Sequence, residues 1–214
     1  FFVLAGVSFT VASMRTWERY AQPSWKLFRR LGRFSLFVCL GYAMHLPAGS
    51  LREFQLVDAA GWQAWFQVDV LQCIGLALII LQLLVLLAGT PGRLARWSAA
   101  LGGAMILMTP LAWAWDATAY LPVPMASYFN SQTGSFFPLF PWAGYVFFGA
   151  ALGYQLRQWS TVPEKSVRML AASGAVLGLA GLLLIKPLML LYVNLDFWKT
   201  SPSLFLIRAS CVCF

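Results

Sequence analysis

Asp69 and Gln72 are polar residues at the start of the apolar run FQVDVLQCIGLALIILQLLVLL, and their side chains could take part in a reaction. Because they are three positions apart, a helix would place both on the same face at its end. An ionisable group that enters a membrane usually faces the bundle interior or a water-filled cavity. A carboxylate at a helix start can instead cap the helix, where its charge suits the dipole. Both roles remain open, and they can coexist.

Two isolated ionisable residues add candidates elsewhere. His45 is the only histidine, in GYAMHLP; it could act as a general base near neutral pH, or simply be anchored at the membrane interface. Arg208 lies in the last apolar run, where a charge is expensive and is normally paired. We expect it either to pair with Asp69 across the bundle or to bind an anionic group such as a phosphate or carboxylate.

The stretch NLDFWKTSPSLFLIR places polar residues just before a helix start at Pro202. A helix N-terminus with Lys199 and Ser201 nearby suits an anion. A Ser-Pro helix start is equally common without any ligand. Lys199 and Ser201 are therefore candidate substrate-binding residues, and a purely structural helix start is the alternative.

The composition predicts that membrane helices carry these residues. The chain is 60% hydrophobic and 10% charged, against roughly 25% charged residues in an average soluble domain, and its mean hydropathy is +0.72. Apolar segments that approach the roughly 20 residues needed to cross a bilayer recur along the whole chain. The sequence predicts an all-α, polytopic transmembrane bundle of about seven spans, the first and last incomplete.

The basic residues occupy alternate loops, which orients the predicted bundle by the positive-inside rule. The predicted cytoplasmic set is Arg15, Arg19, Lys26, Arg29, Arg30, Arg33, Arg93, Arg96, Arg157, Lys165 and Arg168. On the other side are only Arg52, Lys186, Lys199 and Arg208. This topology accounts for the net charge of +8 without nucleic acid. It predicts an N-terminal end on the extracytoplasmic side and fits a bacterial inner membrane.

The loops and small residues give further expectations. The loop DATAYLPVPMASYFNSQTGSF has one charge and many aromatics and prolines, so we expect a folded cap rather than a solvated linker. The loop at 47–66 is expected to lie on the membrane as a short amphipathic helix. Gly149 and Gly153 have the spacing that lets membrane helices approach closely. The four cysteines show no CxxC spacing and predict neither a disulfide nor a metal site.

The ends of the sequence suggest an internal piece of a longer protein. There is no initiating Met, and the last residues SLFLIRASCVCF stop within an apolar run. We therefore expect a single transmembrane domain over 1–214, truncated at both ends.

Several motifs together resemble a known family. They are FFVLAGVSF, the basic RRLGRFSLFVCLGYAMHLP, VDVLQCIGLALI and FFPLFPWAGYVFFGAALG; DVLQ-x-IG and FPLFPW-x-GY are the more specific. They are similar to the transmembrane acyltransferases related to heparan-alpha-glucosaminide N-acetyltransferase, including the bacterial DUF1624 proteins. The FWKTSPS segment is similar to the polar stretch before a late span in that family.

The resemblance implies transfer of an acyl group from cytoplasmic acyl-CoA to a sugar amine or hydroxyl across the membrane. Acetyl is the acyl group expected first. The histidine thought to be the base in that family precedes the opening motif, so it would lie upstream of Phe1. Asp69, Gln72 and His45 are the catalytic candidates here. Trp142 and Arg208 join Lys199 and Ser201 as substrate-binding candidates.

The remaining expectations concern the donor, the partners and the competing functions. Arg29, Arg30 and Arg33 could meet the phosphates of CoA, although the positive-inside rule also explains them. Membrane lipid is an expected partner, no metal is expected, and the sequence leaves room for a homo-oligomer.

A transporter or exporter of a glycan-linked or lipid-linked substrate is the main alternative function, although it would be expected to show an internal repeat. A structural subunit without chemistry is the third.

Overall fold

The computed structural model describes residues 1–159, 163–192 and 197–213, and within them all regular structure is helical. The α-helices are, in chain order, α1 (Phe2–Arg15), α2 (Trp17–Tyr20), α3 (Trp25–Met44), α4 (Leu51–Phe54), α5 (Ala59–Trp65), α6 (Val70–Ala88), α7 (Pro91–Ala114), α8 (Val123–Ala126), α9 (Leu139–Trp159), α10 (Pro163–Leu191), α11 (Phe197–Thr200) and α12 (Pro202–Cys213). A 3₁₀ turn covers Ala117–Ala119. The all-α prediction is confirmed.

Three helices of the described chain are long and apolar enough to cross a membrane, judged by length and composition. They are α6, α7 and the Val167–Leu191 part of α10. The segments α1 and α12 are apolar but shorter. The chain is therefore a membrane protein, while membrane crossings by α3 and α9 remain predictions. The helix α7 starts at Pro91, because Thr90 caps it and accepts a hydrogen bond from the Arg93 N–H.

The turn between α6 and α7 shows how the sequence ends one span and starts the next. Gly89 adopts a left-handed conformation with φ 68°, which a residue with a side chain rarely adopts, and this stops α6. Thr90 then caps α7 and Pro91 occupies its first position, where its missing N–H costs nothing. The Trp17 indole N–H donates to the Gly89 carbonyl oxygen at 3.1 Å, which fixes α2 against this turn.

The long helices pack in a small set of directions. The pairs α3 and α6, α7 and α9, and α10 and α12 are antiparallel neighbours, and α1 runs parallel to α9. A Cβ on Gly149 would overlap the Val3 carbonyl oxygen, and a Cβ on Gly153 would lie 2.8 Å from the Val7 carbonyl oxygen. The predicted packing role of this glycine pair is confirmed.

These directions give the bundle two ends. The basic end carries the C-terminus of α1, the start of α3, the α6–α7 turn and the end of α9, with Arg15, Arg29, Arg93 and Arg157. The opposite end, here called the cap end, carries the starts of α1, α6 and α9 and the end of α3.

The loop 116–138 covers the start of α6 and gives the cap end its name. The Asn130 side-chain amide donates to the carbonyl oxygens of Ala112 and Trp115, at 3.1 and 2.9 Å. The Val68 N–H donates to Ser135 Oγ at 3.0 Å, and the Phe137 N–H donates to the Val68 carbonyl oxygen at 3.0 Å. The predicted folded cap is confirmed. The loop at 47–66 forms two short helices, α4 and α5, instead of the single amphipathic helix expected.

Candidate functional site at the cap end

Asp69 and Gln72 form a capping box at the start of α6. Asp69 Oδ1 accepts a hydrogen bond from the Val70 N–H at 2.7 Å, and Gln72 Oε1 accepts one from the Asp69 N–H at 3.2 Å. Gln72 Nε2 donates to the Gln67 carbonyl oxygen at 3.4 Å. Gln72 is fully buried and Asp69 is half-buried. The helix-capping role is therefore present, and the catalytic role of both residues stays a prediction.

His45 reaches the same place from α3. Its Nδ1 lies 3.0 Å from the Gly41 carbonyl oxygen, and Gly41 packs so closely on the Gln72 carboxamide that a Cβ there would overlap it. Two of the catalytic candidates, His45 and Gln72, thus meet at Gly41. The imidazole is held by the backbone of its own helix, which also fits the interfacial anchor that the sequence left open.

Two tyrosines that sequence reasoning missed join the end of α3 to the cap. The hydroxyls of Tyr42 and Tyr128 are 2.9 Å apart and share a hydrogen bond. The Trp65 indole N–H donates to the Tyr42 carbonyl oxygen at 2.9 Å. Burial raises the pKa of the Tyr128 phenol, so this group stays protonated at neutral pH and can donate a hydrogen bond. The aromatic content of the cap loop was the available signal, but it did not single out Tyr128.

Trp142 and Arg208 line one cavity of about 460 Å³ with Tyr145. Trp142 is part of an aromatic cluster: its ring centroid lies 4.9 Å from that of Phe137, 5.5 Å from that of Phe2 and 5.8 Å from that of Tyr145. Arg208 interacts with the Tyr145 hydroxyl and donates to the Trp198 carbonyl oxygen at 3.4 Å. The structure thus brings together two predicted substrate-binding residues and adds Tyr145.

The predicted pairing of Asp69 with Arg208 is wrong. Both residues lie in the described part of the chain, and no ion pair joins them there. The carboxylate serves the α6 N-terminus, and the guanidinium interacts with Tyr145 and α11. The sequence placed both residues at the same end of the bundle, but their helices do not face each other.

Lys199 and Ser201 flank the start of α12. Ser201 is buried, and its Oγ accepts a hydrogen bond from the Leu204 N–H at 3.4 Å, so it caps this helix. Lys199 is exposed on α11, which contacts α7. Substrate binding by these two residues stays a prediction, and Asp196 lies outside the described residues.

At the basic end, Arg30 differs from its two predicted companions. Its Nη2 donates to Ser13 Oγ at 2.8 Å, and the guanidinium lies 4.3 Å from the ring centroids of Phe9 and Tyr20. Arg29 and Arg33 are exposed. Arg30 and Arg33 line a cavity of about 450 Å³. The structure therefore gives Arg30 a packing role and leaves contact with CoA phosphates untested for all three.

Buried polar atoms without a hydrogen-bond partner in the described chain concentrate towards the basic end. They are Thr10 Oγ1, Arg30 Nη1, Gln82 Oε1 and Ser98 Oγ. Each lies in the half of its helix nearer that end. Gln82 interrupts an apolar run, and this interruption was the signal in the sequence that could have indicated a buried polar group here.

The fold and these two polar regions define a helical membrane protein with buried polar groups towards both ends of one bundle. Its family follows from comparison: the model of the family described as heparan-alpha-glucosaminide N-acetyltransferase, catalytic, matches residues 1–184. The chain belongs to this family, as its motifs suggested. No curated protein and no solved structure matches it. Membership supports a membrane acetyltransferase-like function.

Proposed function

We propose that this protein transfers an acyl group from acyl-CoA at the basic end to a sugar amine or hydroxyl at the cap end. Acetyl is the first acyl group to test. Family membership supports the class of reaction. In this proposal the basic end faces the cytoplasm of a bacterial inner membrane, and the N-terminal end of the chain lies on the extracytoplasmic side. Transport of a glycan-linked or lipid-linked substrate is the alternative that the experiment below must exclude.

The observation that carries the proposal is the pair of fully buried glutamines on α6, Gln72 and Gln82. With a rise of about 1.5 Å per residue, their ten positions correspond to roughly 15 Å along the helix. Buried amides are costly unless they bond, so each marks a place where polar chemistry enters an apolar helix. Between the two glutamines, Cys73, Ala77 and Leu81 are fully buried. In this proposal the pantetheine arm of acyl-CoA can therefore run along this face of α6 only when α6 moves away from its neighbours.

The cap end offers the groups that acyl transfer requires. The acceptor's N–H or O–H must lose its proton to a base, for which Asp69 and His45 are the candidates. The thioester C–S bond breaks as the new C–N or C–O bond forms, and the thiolate of CoA takes up a proton. Donors near the carbonyl oxygen stabilise the developing charge. Trp142 offers a ring face for a sugar, and Arg208 with Tyr145 offers polar contacts beside it.

The test is acyl-CoA-dependent labelling of glycan acceptors by membranes that carry the full-length protein. We compare wild type with Asp69→Asn, because Asn also caps a helix well and removes only the ionisable group. The matched control is Asp58→Asn, since Asp58 caps α5 by accepting from the Gly61 N–H at 2.8 Å. We expect labelling to fall by about 10²-fold or more in Asp69→Asn and to persist in Asp58→Asn.

Two other outcomes would decide against parts of the proposal. Equal labelling in both variants at matched expression would reduce Asp69 to a helix cap. The absence of labelling in wild type, combined with glycan movement across sealed vesicles, would favour the transporter. The same vesicles, prepared in known orientation, test sidedness because acyl-CoA added outside should be used only when the basic end faces outwards.

A further inference from the structure

A lateral groove opens at the basic end, away from the candidate catalytic and substrate-binding residues. It lies between α7 and α9 on one side and α10 and α12 on the other. The helix α10 packs along α12 and barely contacts α9, so a gap remains between the two helix pairs. Its volume is about 910 Å³, within the range of roughly 300–1,000 Å³ typical of ligand sites.

The wall of this groove is apolar. It is formed by side chains of α7, α9 and α10, among them Ala99, Phe148, Ala151, Leu152, Val176 and Leu177. The groove continues onto a face of α10 whose large apolar side chains are exposed: Val176 is 67% exposed, Leu179 60% and Leu183 67%. In a membrane protein such a face meets lipid. The groove is therefore open to a molecule that arrives from the bilayer.

The rim of the groove at the basic end is positively charged. Arg93 and Arg96 are exposed residues of the groove, and their spacing of three puts them on one side of α7. The Tyr154 hydroxyl lies over the first turn of this helix, 3.3 Å from where a Cβ on Gly92 would stand. None of the described residues that line the groove is acidic. The positive end of the α7 dipole adds to the attraction for an anion.

We propose that this groove binds an anionic phospholipid, with its phosphate at Arg93 and Arg96 and an acyl chain along the apolar wall. Basic pockets between membrane helices on the cytoplasmic side are suited to phospholipid head groups. The site goes beyond the proposed acyl transfer, because none of its described lining residues also lines the cap-end cavity or the cavity at Arg30 and Arg33. A bound lipid would join α10 and α12 to the rest of the bundle.

The test measures lipid retention by the purified full-length protein. Delipidated protein is incubated with phosphatidylglycerol or with phosphatidylcholine of the same chains, and bound lipid is counted by native mass spectrometry. We expect a clear preference for phosphatidylglycerol. In the double variant Arg93→Gln, Arg96→Gln its affinity should fall about 10- to 30-fold, at about 1 kcal/mol for each arginine. The double variant Arg15→Gln, Arg19→Gln removes the same charge from the same end outside the groove and should retain binding.

A second variant keeps the test decisive should the first fold poorly. Ala99→Phe leaves both arginines in place and places a large side chain in the groove from an exposed position on α7. It should weaken phosphatidylglycerol binding while the protein still elutes as a folded species. Equal retention of the two lipids would overturn the proposal, and so would equal losses in the Arg93, Arg96 and Arg15, Arg19 variants. Displacement of bound phosphatidylglycerol by acyl-CoA at constant ionic strength would also overturn it, since the groove would then belong to the donor.

Discussion

The two buried glutamines of α6 lie towards opposite ends of one helix and allow the two ends of the bundle to be compared. At the cap end, Gln72 bonds through both of its amide atoms, to the Asp69 N–H and to the Gln67 carbonyl oxygen. At the basic end, Gln82 Nε2 donates to the Tyr20 carbonyl oxygen at 3.1 Å, while its Oε1 has no partner within the described chain. The same residue type, equally buried, is satisfied at one end and half-satisfied at the other.

The two glutamines differ because the two ends of the bundle are built differently. At the cap end, the cap folds back on the start of α6 and its Ser135 hydroxyl and Phe137 N–H bond the Val68 backbone, while Asp69 is bonded by Val70 and Gln72 of α6 itself. At the basic end, Gln82 bonds to the Tyr20 carbonyl oxygen and Arg30 bonds to Ser13 Oγ, while Gln82 Oε1 and Arg30 Nη1 have no partner in the described chain. Buried polar groups without partners are uncommon in native proteins and call for an explanation. In our proposal the polar donor enters at the end that has this capacity.

The largest effect should come from removing the satisfied amide. In Gln72→Leu the Asp69 N–H and the Gln67 carbonyl oxygen lose their partners beneath the cap. We expect the free energy of unfolding to fall by about 1–3 kcal/mol. Denaturant unfolding in detergent, followed by tryptophan fluorescence, measures this change. An equal loss in Gln82→Leu would remove the contrast between the ends.

A smaller loss is expected for Arg30→Lys. Lysine keeps the charge, but it cannot combine the bond to Ser13 with the stacking on Phe9 and Tyr20. We expect a loss of about 1–2 kcal/mol in the same assay. The matched control Arg29→Lys changes an exposed neighbour on α3 and should stay within about 0.5 kcal/mol of wild type. If the two variants unfold alike, the packing role of Arg30 is wrong.

Substitution of two buried threonines should change stability differently. Thr109, towards the cap end of α7, donates from Oγ1 to the Met105 carbonyl oxygen at 2.8 Å, so Thr109→Val should cost about 0.5–1.5 kcal/mol. Thr10 Oγ1 is buried without a partner in the described chain, so Thr10→Val should leave stability unchanged or raise it by up to about 1 kcal/mol. Thermal unfolding of both variants in one detergent gives the comparison. A loss for Thr10→Val as large as that for Thr109→Val would show that its hydroxyl is satisfied.

Gln82→Leu should have a still smaller effect. The change removes the bond to the Tyr20 carbonyl oxygen, and it also removes the unpartnered Oε1. The two terms oppose each other, so we expect the unfolding free energy to stay within about 1 kcal/mol of wild type. If the donor enters here, the variant should lower the affinity for acyl-CoA more than it lowers stability. Titration of acyl-CoA into the folded variant separates the two effects.

The sequence predicted which residues lie at each end of the bundle better than it predicted which helices pack against each other. Apolar runs predicted the long helices, the basic residues predicted which loops share an end, and the small-residue spacing predicted the contact of α9 with a neighbour. The Asp69 cap followed from residue type and position alone. The Tyr42–Tyr128 hydrogen bond joins residues 86 positions apart, and periodicity does not indicate which helix faces which. The prediction that Asp69 pairs with Arg208 was wrong for the same reason.

The smallest effect concerns Asp116, at the rim of the cap end. Its Oδ1 accepts hydrogen bonds from the Thr118 hydroxyl at 2.6 Å and from the Thr118 N–H at 3.1 Å. These bonds favour the charged carboxylate and lower its pKa below the ordinary 3.8. Because the folded pKa is the lower one, this stabilisation is present above pH 3.8 and is lost as the pH falls through the folded value. The melting temperature of wild type should therefore drop more steeply below pH 3.8 than that of Asp116→Asn, whose side chain does not titrate. Parallel pH profiles for the two proteins would mean that the exposed cap rim adds nothing to the stability of the cap end.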